Sequence, residues 1–116
     1  MAKRTTSRRS RKFESWAWRI KGESATARRA WDEADDALRR ARAIANTIGQ
    51  PRQTWLSEVA LGRLLAARGR RDEALTYYRA TWTIITGLRA ATTEPGLLAG
   101  LTSSPIVREV EDLATG

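Results

Sequence analysis

The densest run of potentially reactive side chains is Asp32, Glu33, Asp35 and Asp36. Carboxylates in such a cluster can hold a divalent ion or act as acid and base. Consecutive helical residues point apart, however, so these four do not converge on one point. Their expected partners are Arg28, Arg39 and Arg40, with Asp32 and Glu33 also compensating a helix dipole by roughly 0.3–1 kcal/mol. The chain contains no cysteine and no histidine. Thiolate and imidazole metal sites, disulfides, Ser-His and Cys-His nucleophile pairs and histidine bases are therefore excluded. No Gly-rich Lys-Ser/Thr phosphate loop is present either. The sequence predicts a protein that is not an enzyme and uses neither cofactor nor metal.

The second set of residues with a possible chemistry is basic. Of 21 Lys and Arg against 13 Asp and Glu, Lys3, Arg4, Arg8, Arg9, Arg11 and Lys12 fall in the first twelve residues, which hold no acid. The remainder carries 15 basic and 13 acidic groups, so the net +8 belongs mostly to one end. Residues 1–12 are expected to be a disordered arm. Its six cations can neutralise phosphates in salt-sensitive, sequence-blind binding to nucleic acid. No apolar run reaches the ~20 residues of a membrane span, and no apolar stretch follows the arm as in a secretory signal. A cytoplasmic protein without a membrane partner is the expectation.

What must position these groups is helical throughout. Phe13, Trp16, Ala17, Ile20, Ser24 and Ala27 recur at three- and four-residue steps, as do Ala34, Ala37, Leu38, Ala41, Ile44, Ala45 and Ile48. Gly49 and Pro51 stop one helix and start the next. Trp55, Val59, Leu61, Leu64 and Leu65 give a third helix, broken at Gly69. Ala74, Tyr78, Thr81, Trp82, Ile85 and Leu88 give a fourth. The stretch from Ala90 to Gly96 reads as a loop. Ser104 and Pro105 restart a last helix that buries Ile106, Val107, Val110 and Leu113, with Ser104 suited to cap it.

The chain also matches itself at a shift of 40. Gly22 falls on Gly62, Ala27 on Ala67, Arg28 on Arg68, Asp32-Glu33-Ala34 on Asp72-Glu73-Ala74, and Arg39 on Arg79. Such a period signals a helical array. Small residues, Gly22 with Ala34 and Gly62 with Ala74, let paired helices approach, while Leu38 and Tyr78 fill the space beside them.

Trp18-x-x-Lys21-Gly22 with Ala34, Leu38 and Ala41 resembles the tetratricopeptide repeat, and so does Leu61-Gly62 with Leu65, Ala74, Tyr78 and Thr81. The resemblance implies an all-α fold. Two antiparallel hairpins (about 15–48 and 55–88, within 13–93) stack as a short right-handed solenoid, capped by residues 94–116. It further implies a protein- or peptide-binding scaffold whose groove is lined by Trp16, Arg19, Glu23, Val59 and Arg63, with Trp55 near them. Glu94-Pro95-x-Leu97 and Leu101-Thr102-Ser103-Ser104-Pro105-Ile106-Val107-Arg108 resemble the segment closing the repeats of large bacterial ATPase-type transcriptional regulators and cyclase-linked ATPases. By that resemblance the chain is a regulatory interaction module or the C-terminal part of a larger signalling protein. The alternative is a nucleic-acid-binding accessory protein using the arm. Fewer than about three repeats are usually marginal. The face near Phe13, Trp16 and Trp18 is thus expected to be covered by self-association or by an upstream part.

Overall fold

A computed structural model describes residues 8–116, which form six helices and no strand. These are α1 (Arg8–Ala27), α2 (Trp31–Thr47), α3 (Pro51–Ala67), α4 (Arg71–Ala91), α5 (Pro95–Ser103) and α6 (Pro105–Thr115). Helix α1 starts at Arg8, inside the segment expected to be unstructured, so the second half of the basic stretch is helical. Lys3 and Arg4 lie outside the described residues.

Three turns of three residues join the first four helices, and they are one turn used three times. In each, an amide reaches back five residues: Ala30 donates to Ala25 at 2.9 Å, Gln50 to Ala45 at 3.0 Å and Arg70 to Leu65 at 2.8 Å. This Schellman closure needs a left-handed residue just before the reaching amide. Those residues are Arg29, Gly49 and Gly69, with φ of 61°, 64° and 80°. Two carry glycine, which the sequence signals as breaks. The first carries arginine, which adopts the left-handed region only at a steric cost, and it left no comparable mark in the sequence.

The 40-residue repeat is realised in the helix crossings. A Cβ built on Gly22 would stand 2.5 Å from Leu38 Cγ, and one on Gly62 would stand 2.8 Å from Tyr78 Cε1. Leu38 and Tyr78 therefore occupy the space that the glycines leave. One small core joins the two hairpins across α1, α2 and α3, and another lies within the second hairpin. The first comprises Ala25, Ala34, Leu38, Ala60, Leu61 and Leu64; the second comprises Leu65, Ala74 and Tyr78. At the other end of the first crossing Ser15 Oγ donates to the Ala41 carbonyl at 2.7 Å, fully buried.

Of residues 94–116, only α6 contributes fully buried side chains. Val107 and Val110 of α6 enter a core with Trp55, Val59 and Ile85. The preceding loop is shorter than expected, because α4 runs on to Ala91 and α5 starts at Pro95. Pro105 opens α6 as expected, but Ser104 makes no side-chain cap.

Candidate functional site

Helix α1 has two faces. A narrow seam of Ser15, Gly22 and Ala25 is buried against α2. The apolar stripe read from the sequence points elsewhere: Phe13, Trp16 and Ile20 are 66%, 43% and 42% exposed. At i, i+3 and i+7 they form one continuous strip. Phe13 and Trp16 rings lie 5.4 Å apart at a tilt of 41°, within the range of favourable aromatic pairs. Arg9 and Lys12, both exposed, precede the strip on the same helix.

The side chains expected to line a groove divide into three groups. Trp16 lies in the exposed strip. Arg19 and Glu23 pair with each other along α1 at 3.4 Å, with the Arg19 side chain largely buried. Arg63 of α3 donates to Glu109 of α6, through Nε at 3.0 Å and Nη2 at 2.8 Å. The hydrogen bond to Glu109 holds the Arg63 guanidinium above its ordinary value against the opposing effect of burial. The nearby charge of Glu23 adds to it. Arg19, Glu23, Arg63 and Glu109 thus form a row of alternating charge linking α1, α3 and α6.

Val59 has no place on such a surface. It is 2% exposed, packed with Trp55, Ile85, Val107 and Val110. Trp55 is likewise buried. Helix α6 covers this part of α3, and the groove expectation for both residues is corrected accordingly. The periodicity that assigned Val59 to a first helix was sound, but nothing in α3 itself announces which helix will lie over it.

Three of the four clustered carboxylates are engaged in local pairs. Asp35 accepts from Arg39 at 2.9 Å, Asp36 from Arg40 at 2.9 Å and Glu33 from Arg28 at 3.2 Å. Trp18 is half-buried between two cations, with Lys21 Nζ and Arg40 Cζ each 5.0 Å from its ring. Glu58, which takes the place of Trp18 in the second copy, is buried. Burial pushes its carboxyl up, against the partial compensation of Arg42 at 3.4 Å.

A second concavity lies at the other end of the stack, where sequence reasoning placed no site. It is a cavity of about 620 Å³ between the start of α3, the end of α4, and helices α5 and α6. Trp55, Leu56, Leu88, Ile106 and Val107 supply its apolar wall. Among the described residues, no helix is long and apolar enough to cross a membrane. Compared with known proteins, the chain matches no family model, no curated protein and no solved structure.

Proposed function

We propose that this chain is a helical scaffold that binds another protein through the exposed face of α1. The observation that carries the reading is the strip of Phe13, Trp16 and Ile20 left uncovered beside the cations Arg9 and Lys12. Buried aromatic anchors dominate the energetics of most protein interfaces. A helix face with anchors at i, i+3 and i+7 suits a partner helix laid along it. The basic end favours an amphipathic partner with acidic flanks. A second copy fits less well, because it carries the same +8.

Two glycine crossings 40 residues apart support stacking in the manner of tetratricopeptide repeats, as a short right-handed solenoid. On this reading α6 takes the place of the next first helix. The Arg19–Glu23 and Arg63–Glu109 pairs then form the polar lining beside the strip. A regulatory role, in the cytoplasm of a bacterium and as part of a larger signalling protein, is the setting in which such a module serves.

The test is a purification of the tagged chain from its own cell extract at about 0.1 M and 0.5 M salt, values that separate phosphate contacts from apolar ones. A defined protein should stay bound at both salts. It should bind again when purified and mixed with the chain. It should be lost from a Phe13→Ser, Trp16→Ser, Ile20→Ser variant whose helix content and melting point are unchanged. Nucleic acid that co-purifies, leaves at the higher salt and depends on Lys3, Arg4, Arg8, Arg9, Arg11 and Lys12 would replace this reading with the accessory-protein alternative. A dimer of the pure chain dissolved by the same three serines would assign the strip to a second copy.

A further inference from the structure

We propose that the cavity between α3, α4, α5 and α6 is a binding site for a small amphipathic carboxylate with an aliphatic tail. The inference stands apart from the α1 face and does not depend on it. The volume of about 620 Å³ lies within the range of small-molecule sites.

The strongest indication is α5. Its nine residues, Pro95 to Ser103, carry no charge and include Leu97, Leu98 and Leu101, yet none of them is buried. Leu97 and Leu101 front the cavity, and Leu97 is 57% exposed. An uncharged leucine-bearing helix whose Leu98 and Leu101 are only half-buried, and whose Leu97 is exposed, has little of the contact that would repay its ordering. An apolar tail in the cavity supplies that contact. The space is kept open by Gly96 and Gly100, one turn apart on the cavity side of α5. A Cβ at Gly100 would meet nothing within 4 Å.

The polarity of the ligand follows from the α3 end of the rim. Gln50 and Arg52 line the cavity there, and Gln50 leaves the amides at the start of α3 without a side-chain cap. A helix start beside an arginine favours an anion. Among the described residues Arg52 has no acidic partner. Trp55, in the same wall, has a buried indole N–H with no acceptor, an arrangement that disfavours the empty site. The opposite part of the rim is less suited to a head group, because Glu94 Oε1 stands 3.8 Å from where a Gly96 Cβ would be. The carboxylate therefore belongs beside Arg52 and the tail beneath α5.

The test uses the full chain and three ten-carbon probes below their micelle concentrations: decanoate, decanol and decyltrimethylammonium. Titration calorimetry should show saturable decanoate binding, favoured over decanol about ten-fold, the amount one charge-assisted hydrogen bond supplies. Arg52→Gln should erase that preference. Gly100→Leu should fill the space and abolish binding while the melting point holds or rises. Independently of any change at Gly100, the indole N–H resonance of Trp55, assigned with Trp55→Phe, should shift saturably with decanoate. The proposal is overturned if decanoate does not saturate by about 1 mM, a weak limit for a specific site. It is also overturned if binding survives in a folded Gly100→Leu chain, if the cationic probe is preferred, or if the Trp55 resonance stays still.

Discussion

Arg63 and Glu109, 46 residues apart, meet in a two-pronged ion pair that fastens α6 to α3. Both side chains are more than a third exposed, so the pair is screened by water and contributes modestly. Arg63→Gln should lower stability by about 0.5–1 kcal/mol in low salt and by less in high salt. The exchanged pair, Arg63→Glu with Glu109→Arg, should recover most of the loss. Urea unfolding of the two single variants and the exchange, at two salt concentrations, measures the coupling.

Glycine to alanine should have opposite signs at different places. Within a helix the change alone gains up to about 1 kcal/mol. At Gly87 a Cβ meets nothing within 4 Å, so Gly87→Ala should stabilise by roughly that amount. At Gly62 the new methyl would press on the Tyr78 ring, and at Gly22 on the branch point of Leu38. Overpacking of this kind costs about 1–3 kcal/mol. Both variants should melt lower than wild type, while Gly87→Ala should melt higher.

Arg29 holds the left-handed position that Gly69 holds 40 residues later. An L-residue there costs about 1–2 kcal/mol, partly offset because glycine loses more chain entropy on folding. Arg29→Gly should therefore stabilise by about 0.5–1 kcal/mol, and Gly69→Ala should destabilise by a similar amount. A pair of thermal melts is sufficient to check the two signs.

Glu58 gives a pH dependence. Burial raises its carboxyl above the ordinary 4.5, with Arg42 only partly opposing. The folded chain then binds a proton that the unfolded chain has already released. Stability from this group is greatest below about pH 4.5 and is lost as pH rises through the raised folded value. Glu58→Gln removes the titration. The stability of wild type relative to that variant should fall between pH 4 and pH 7. A difference that instead grows with pH would show Arg42 to be the stronger influence.

The helices and the 40-residue repeat were legible because both are written in spacing. Gly22 with Leu38 and Gly62 with Tyr78 are small–large pairs whose meaning is local to one hairpin. The fate of Val59 was not legible. It depends on Val107 and Val110, which reach it only after the chain has passed through three turns or loops. The direction of the Phe13–Trp16–Ile20 strip was obscured for a related reason. Periodicity marks an apolar face without saying what covers it, and α2 packs on the smaller seam of Ser15, Gly22 and Ala25. The cavity had no sequence signature at all, since its space is made by what Gly96 and Gly100 lack.

The left-handed residues Arg29, Gly49 and Gly69 fall at intervals of 20, and this sets a grammar for changes in length. Gain or loss of 40 residues between equivalent turns returns every glycine crossing to its partner's phase. Gain or loss of 20 keeps the turns but exchanges the two kinds of helix, setting Gly-bearing segments where Leu38 or Tyr78 should stand. Lineages of this chain should therefore differ by whole pairs of helices, and a single added helix should be tolerated only at the α5–α6 end, where the 20-residue beat has already stopped.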